Sequence, residues 1–277
     1  MAVLITNESF ERITKKIVRG IHFIEDSVYI QPPYKIDFFA LPEDGNPLWK
    51  DALDRFGSVY ARVLRGHGID RSAAEWESAF RAAWRAVSQA IPIGRDRFGF
   101  FPGGEAEYWR RIVEGTVTSI TGSHAGRDLV DRALTELRRE FRKPEAWHVY
   151  DDVVPALGDL RSLGARLGVV SNWDSRLPAL LDGLGLARYM DTIVVSHLEG
   201  VEKPDPELFR MALAKLGALP EQAIHVGDTP ELDVAGAEAA GIASVLIDRE
   251  SRQISDAGAI RDLLALPKLL LTTMETK

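Results

Sequence analysis

The spacing of hydrophobic residues changes along the chain and separates a helical part from a part that alternates strand and helix. Between Trp49 and Phe141, apolar residues recur at steps of three and four, which is the spacing of one face of an α-helix. Four such segments follow one another without a strand-like run between them, and Ser72 and Glu75 form a capping-box pattern at the start of the second. This pattern predicts a helical bundle.

After Pro144 the pattern becomes one of short apolar runs separated by helical segments. The runs predicted to be strands are residues 166–171, 192–196, 224–226 and 244–247. Strands that alternate with helices at this spacing form right-handed βαβ units. The sequence therefore predicts an α/β fold, with a parallel sheet that carries helices on both faces.

The remaining segments have weaker patterns. Residues 1–33 contain one short amphipathic stretch and are interpreted as an N-terminal extension. Residues 34–41 form an aromatic-rich run that follows two prolines and is typical of a strand. Residues 91–104 combine glycines, prolines and aromatics, which predicts a loop that we interpret as a lid over a pocket. Residues 260–271 are interpreted as a final packing helix interrupted by Pro267.

Composition narrows the range of partners and locations. The 277 residues carry a formal charge of −7, which argues against nucleic acid as the main partner. The absence of cysteine excludes disulfides, thiolate metal sites and a cysteine nucleophile. No apolar run reaches the ~18 residues of a membrane span, and the chain does not open with a secretory signal pattern. We therefore expect a cytoplasmic protein with no membrane or nucleic-acid partner, as a monomer or homodimer.

Polar residues stand where the predicted strands end. Ser171 and Asn172 close one strand, Lys203 precedes a proline and a helix start, and Asp228 closes another strand, with Asp233 five residues later. The carboxyl ends of parallel strands meet at one edge of a sheet. Carboxylate oxygens are ligands for Mg²⁺, and phosphoryl transfer needs fixed donors and cations around the transferring group. Each residue also has a plain structural alternative as a turn, a helix cap or a solvated lysine.

Three longer segments contain these polar residues, namely Leu167-Gly-Val-Val-Ser-Asn-Trp-Asp174, Glu202-Lys-Pro-Asp-Pro-Glu-Leu-Phe209 and His225-Val-Gly-Asp-Thr-Pro-Glu-Leu-Asp-Val-Ala-Gly-Ala237. They resemble motifs II, III and IV of the haloacid dehalogenase-like hydrolases. The resemblance runs from about Trp147 to Arg249. The helical stretch 48–142 resembles the bundle cap that one branch of the family inserts after its first strand.

This resemblance implies a Rossmann-like core sheet with the cap folded over its carboxyl edge. It also implies a role for each motif residue. Ser171 would hydrogen-bond the transferring phosphoryl group, with Asn172 beside it at the substrate. Lys203 would balance the charge of that group and of the nucleophile, and Asp228 and Asp233 would hold Mg²⁺.

The first motif of the family, a strand that ends in the nucleophilic Asp, departs from its usual pattern here. Ala40 stands about where the nucleophile belongs. Asp44 has the better distance to the first cap helix and is our preferred nucleophile, followed by Asp37. Neither has a second acid two residues later. The alternative that no nucleophile exists stays open.

The expected organisation is an extension over 1–33, a core made of 34–47 and 144–277, and a cap over 48–143. The leading functional hypothesis is a Mg²⁺-dependent phosphatase of a small phosphorylated metabolite, working through an aspartyl-phosphate. The alternatives are a 2-haloacid dehalogenase and a catalytically inactive binding protein of the same fold.

Overall fold

A central sheet organises the core of the protein, which we describe from a computed structural model. The structure describes residues 2–6, 49–50, 53–93, 95–249 and 259–267. The strands are β1 (Ala2–Thr6), β2 (Trp49–Lys50), β3 (His148–Val149), β4 (Arg166–Ser171), β5 (Thr192–Val195), β6 (Ala223–Gly227) and β7 (Ala243–Leu246). Five of them form one sheet in the order β5-β4-β1-β6-β7. Asp37 and Asp44 lie outside the described residues, as does the strand expected over 34–41.

The helices are α1 (Leu53–Arg65), α2 (Ala73–Gln89), α3 (Gly104–Thr121), α4 (Arg127–Glu140), α5 (Val153–Ser162), α6 (Leu177–Gly183), α7 (Ser196–Glu199), α8 (Pro206–Leu216) and α9 (Ala235–Ala239). The first four belong to the predicted bundle and the other five to the core. Strand and helix alternate through the core as the sequence predicts. The α/β class is confirmed.

Helices cover both faces of the sheet. In β4, Leu167 and Val169 join one cluster of buried residues and Val170 joins another, as expected for side chains that alternate across a strand. Helices α5 and α6 pack in the first cluster, and α8 and α9 pack in the second.

The direction of β1 is the main departure from the expected topology. Strands β4 and β5 are parallel, as are β6 and β7, but β1 runs antiparallel to both of its neighbours, with Ala2 opposite Val170 and Val3 opposite Val226. The other four strands therefore still point the same way. The assignment of residues 1–33 to an extension outside the core is corrected for Ala2–Thr6, because these residues hydrogen-bond to β4 and β6 along the middle of the sheet.

The bundle has its own hydrophobic interior. Trp76, Tyr108 and Ile112 are fully buried there and belong to the core of the bundle. Ser72 begins α2 with the predicted capping box, since its hydroxyl accepts from the Glu75 amide and its own amide donates to the Glu75 carboxylate. A two-stranded sheet of β2 and β3 joins the two chain segments that lead into and out of the bundle.

Among the helices of the described ranges, none is both long enough and apolar enough to span a lipid bilayer.

Candidate active site

The structure brings five of the predicted site residues to the carboxyl edge of the sheet, namely Ser171, Asn172, Lys203, Asp228 and Asp233. Ser171 is the last residue of β4, and Asp228 follows the last residue of β6. Lys203 is joined to Asp233 by an ion pair and lies in the loop before α8. Because β4 and β6 point the same way, their ends meet at one edge, and this is the geometric basis of the site.

A buried ion pair is the centre of this cluster. The Lys203 Nζ lies 2.5 Å from Asp233 Oδ1, and both side chains are almost fully buried. His225 Nε2 lies 3.0 Å from the same oxygen, and the Thr229 amide donates to Asp233 Oδ2 at 3.2 Å. Both oxygens of Asp233 therefore have partners. The Asp233 carboxylate in turn holds the Lys203 ammonium in place.

Burial and the neighbouring charges shift the pKa values of Asp233 and His225 in opposite directions. Burial alone would raise the pKa of Asp233, but the Lys203 ammonium and the His225 hydrogen bond together hold that pKa well below its usual range. Burial lowers the pKa of His225, and the Asp233 carboxylate only partly opposes this effect. Asp233 is therefore a carboxylate at neutral pH.

Two glycines allow the close approach that this cluster requires. A Cβ on Gly227 would lie 2.2 Å from Asp233 Cγ, so any side chain there would displace the carboxylate. A Cβ on Gly236 would lie 2.6 Å from the Phe209 ring. Gly227 and Gly236 flank the segment that carries Asp233. The segment is a π-helical turn over Pro230–Val234 followed by α9, instead of one continuous helix.

Asn172 links the β4 loop to the Lys203 loop. Its Nδ2 donates to the Lys203 carbonyl at 2.9 Å, and its Oδ1 accepts from the Lys203 amide at 2.7 Å. Substrate binding by Asn172 stays a prediction, because in this structure both polar ends of its amide are bonded to the chain. What the geometry establishes for Asn172 is that it holds the two loops in register.

Ser171 contributes a buried hydroxyl that has no partner among the described residues. Its side chain is fully buried, and its Oγ makes no hydrogen bond there. Buried polar groups are usually satisfied, so such an orphan at a strand tip has the chemistry of a donor for a ligand.

Asp228 is the acidic group best placed to meet a metal ion. It is half-buried, and it forms no ion pair and no side-chain hydrogen bond with another described residue. Burial raises its pKa, and the neighbouring Asp233 carboxylate adds to this effect, while the Lys203 ammonium partly opposes it. A bound hard divalent cation would offset both the cost of burying this carboxylate and its repulsion from Asp233. Within the described ranges no three acidic or histidine side chains group around a metal position, but Mg²⁺ is commonly held by one or two carboxylates together with substrate phosphate and water. The donor set fits Mg²⁺ through Asp228.

The central position between Ser171 and Asp228 is filled by the start of β1. Because β1 is antiparallel, the residue next to the tips of β4 and β6 is Ala2 instead of the end of a parallel strand. Nothing in the described residues places a carboxylate nucleophile beside Lys203. The assignments of Asp44 and Asp37 stay predictions.

Two contacts near the site were not predicted from the sequence. His225 bonds Asp233, and the signal for it was a single polar residue inside an apolar strand. Trp109 of the bundle donates to Asp174 of the β4 loop at 3.0 Å, which no local spacing could predict, since the two residues come from different parts of the fold.

Comparisons with known proteins agree with the α/β fold described above. A family model described as haloacid dehalogenase-like hydrolase matches residues 41–241. The human haloacid dehalogenase-like hydrolase domain-containing protein 3 is 34% identical over 202 residues, which cover 72% of this chain and 78% of the human protein. A phosphoserine phosphatase of Thermus thermophilus is 39% identical over 44% of this chain and 49% of its own length. The structure of a HAD phosphatase from Thermococcus onnurineus superposes with a TM-score of 0.57 at 24% identity, over 82% of this chain and 94% of that one, and shows the same fold.

Proposed function

Since the chain belongs to the haloacid dehalogenase-like hydrolases, we propose that it is a Mg²⁺-dependent phosphatase of a small phosphorylated metabolite. The observation that carries this proposal is the buried Ser171 hydroxyl, which has no hydrogen-bond partner among the described residues, on the same sheet edge as the fixed Lys203 ammonium. One donor and one cation at such an edge suit the oxygens of a phosphoryl group, whose charge grows as the group is transferred.

In this proposal Ser171 and Lys203 bind the phosphoryl oxygens. Ser171 donates its hydroxyl proton to one oxygen, and Lys203 offsets the negative charge of the group. Asp233 keeps the ammonium in place, because it is buried against Lys203 and braced by His225 and the Thr229 amide. Fixed charges of this kind need no rearrangement during the reaction.

Asp228 would hold Mg²⁺. When bound, the ion would neutralise charge on the phosphate and orient it. The prediction that Asp233 is a second ligand remains, although its oxygens already have protein partners.

The nucleophile in this proposal is Asp44, with Asp37 as the alternative. A carboxylate oxygen forms a bond to phosphorus while the bond from phosphorus to the ester oxygen breaks, and the departing alkoxide takes a proton from solvent. Water then attacks the aspartyl phosphate, loses a proton to solvent, and releases inorganic phosphate with the free carboxylate. The position two residues later, the usual place of a base, holds Asn46 or Phe39.

Two of the sequence relatives support the phosphatase proposal. One is named a phosphoserine phosphatase and another a glyceraldehyde 3-phosphate phosphatase. A dehalogenase of this fold would have no use for the Asp228 carboxylate as a metal ligand. We also propose a cytoplasmic location and no partner beyond the small phosphorylated substrate and, at most, a second copy of the chain.

The test is hydrolysis of a panel of phosphate monoesters with and without EDTA. We expect turnover that EDTA abolishes and added Mg²⁺ restores, and a loss of about 10²–10³-fold in Ser171→Ala or Lys203→Met. Lys215→Met is the matched control, because Lys215 is an exposed lysine of α8 that pairs with Glu199 away from the site. Asp44→Asn should abolish turnover. If Asp44→Asn and Asp37→Asn both keep the full rate, the assigned nucleophiles are wrong. Release of halide from a 2-haloacid without any effect of EDTA would favour the dehalogenase.

A second candidate function is binding without hydrolysis, and the antiparallel β1 favours it. In this arrangement the middle strand presents its beginning, not its end, at the site edge. A protein of this kind would bind Mg²⁺ and inorganic phosphate but turn over no ester. Titration calorimetry with Mg²⁺ and phosphate on the native chain and on Asp228→Asn separates this outcome from a protein that neither binds nor hydrolyses.

A further inference from the structure

Residues 95–98 of the loop predicted over 91–104 lie directly against the core loops that carry the site. Arg95 of this loop forms a β-bridge with Val201, two residues before Lys203. Phe98 is buried and contacts the ring of His197 edge-on at 5.6 Å. The loop expected to be a lid is thus docked on the core, and its contacts are specific enough to be tested.

The strongest of these contacts joins Arg97 to Glu202. The Arg97 Nε lies 2.8 Å from Glu202 Oε2, and the Arg97 Nη2 lies 3.2 Å from Glu202 Oε1. The guanidinium therefore contacts the carboxylate at two points. The Arg97 amide also donates to Oε2 at 3.3 Å. The side chain of Glu202 is only 8% exposed, so water screens this pair weakly.

Further polar contacts surround this pair. Asp96 Oδ2 lies 3.1 Å from His197 Nδ1. Glu105, at the start of α3, accepts from the amide and the hydroxyl of Ser175 at 3.2 and 2.6 Å. The bundle therefore contacts both the loop that follows Ser171 and the loop that precedes Lys203.

We propose that Arg97 is a positioning residue that latches the bundle onto the core and sets the position of Lys203 through Glu202. Glu202 is bonded directly to Lys203 along the chain, and the Lys203 backbone is held on its other side by Asn172. The backbone at Lys203 is thus fixed between Asn172 of the core and an arginine of the bundle. Docking of the bundle and placement of the ammonium are one event in this arrangement.

The latch also explains why a buried carboxylate stands at position 202. Without its guanidinium partner, Glu202 would be a charge held away from water, which is strongly unfavourable. Separation of the bundle from the core exposes Glu202 to solvent and relieves that penalty. Loss of Arg97 therefore favours the separated arrangement, and the effect should appear as a change in the distance between bundle and core.

A distance measurement tests the latch without any assumption about activity. The chain has no cysteine, so two spin labels can be placed at Ala86→Cys in α2 and Ala214→Cys in α8, both exposed positions outside the latch. Electron–electron double resonance on the labelled 277-residue chain then gives the distribution of distances. We expect Arg97→Gln and Glu202→Gln to raise the population at longer distances by roughly tenfold, the change that about 1.4 kcal/mol produces.

The controls separate latching from general destabilisation. Glu114→Gln breaks an ion pair with Arg110 inside the bundle and should leave the distribution unchanged. The exchanged pair Arg97→Glu with Glu202→Arg should restore the short distance. If Glu202→Gln does not fold, Arg97→Lys, which keeps the charge but cannot make the two-point contact, gives the same test. An unchanged distribution in folded Arg97→Gln and Arg97→Lys would overturn the proposal.

The proposed effect on Lys203 rests on the phosphatase function, so it is tested by a separate kinetic measurement. In an active enzyme, Arg97→Gln should lower kcat several-fold more than it raises KM for the best ester, and the exchanged pair should recover part of kcat. If the native chain has no turnover, the phosphatase proposal fails while the distance measurement still decides the latch. If turnover is present but kcat does not change in a variant whose bundle separates, the coupling to Lys203 is wrong.

Discussion

The side-chain amide of Asn172 and the backbone of Lys203 form a closed two-point pair. The Asn172 amide nitrogen donates to the Lys203 carbonyl, and its amide oxygen accepts from the Lys203 amide. These two hydrogen bonds resemble one step of a β-ladder, except that one partner is a side chain and the two segments are loops. The relative position of Ser171 and Lys203 therefore depends on a residue that need not touch a substrate.

Replacement of Asn172 tests this role. Asn172→Ala leaves the amide and the carbonyl of the buried Lys203 without partners, so the free energy of unfolding should fall by about 1–3 kcal/mol. Asn172→Asp should cost at least as much, because its second oxygen would face the Lys203 carbonyl oxygen. Urea unfolding measures both changes. An unchanged unfolding midpoint in Asn172→Ala would show that the pair does not form in solution.

The Lys203 and Asp233 pair should show strong coupling. Removal of one partner leaves an uncompensated buried charge, so Lys203→Met and Asp233→Asn should each reduce the unfolding free energy by about 3–5 kcal/mol. The double variant should lose less than the sum of the two single variants.

The comparison for this cycle is the exposed pair of Arg127 and Asp131 in α4. Removal of Arg127 should change stability by less than about 1 kcal/mol, because solvent screens such pairs. Urea unfolding of the native chain, the two single variants and the double variant gives the coupling energy. Additive losses at Lys203 and Asp233 would contradict the buried pair.

Gly227 should tolerate no side chain. A Cβ there would meet the Asp233 carboxyl carbon at 2.2 Å, so Gly227→Ala should displace Asp233, destabilise the protein by about 1–3 kcal/mol and weaken Mg²⁺ binding. Gly158→Ala in α5 is the matched control, because no atom lies within 4 Å of a Cβ at that position. It should be neutral or stabilise by up to about 1 kcal/mol. Thermal unfolding and calorimetry with Mg²⁺ compare the two. Equal behaviour of the two variants would contradict the close approach at Gly227.

The carboxylate of Asp152 should make stability depend on acid pH. Arg249 and the Leu263 amide lower its pKa below the usual 3.8, although burial alone would raise it. A lowered pKa in the folded state stabilises the protein at pH above 3.8, and this stabilisation is lost as the pH falls through the folded value.

The difference in unfolding free energy between the native chain and Asp152→Asn should therefore be largest near neutral pH and shrink below pH 3.8. Urea unfolding at a series of pH values measures it, with Asp128→Asn at an exposed site of α4 as the control. A difference that does not vary with pH would mean that Arg249 leaves Asp152 unperturbed.

The core strands and the bundle helices could be predicted from the sequence because each depends on local periodicity. Strand β4 lies where its unbroken apolar run predicted it, and α2 begins at its capping box. The meeting of Ser171, Lys203 and Asp228 followed from one topological rule, that parallel strands end at the same edge.

Contacts between parts of the chain that are distant in sequence could not be predicted from such rules. The Arg97 contact with Glu202 depends on how the bundle docks, and no spacing within either segment encodes it. Strand β1 has only five residues, and its antiparallel position between β4 and β6 is determined by the two partners it pairs with. The identity of the nucleophile belongs to the same category, since it depends on where the chain around Asp44 lies.

The central position of β1 has a consequence for folding. Strands β5 and β4 form one half of the sheet and β6 and β7 the other, and β1 is the strand hydrogen-bonded to both. Its partners, such as Val170 and Val226, are remote in the chain, so these contacts have a high contact order and form slowly. Each half can assemble first from its own neighbouring strands and helices. The two halves then become one cooperative unit only when the first residues of the chain are inserted, which makes closure of the sheet the expected rate-limiting step in refolding.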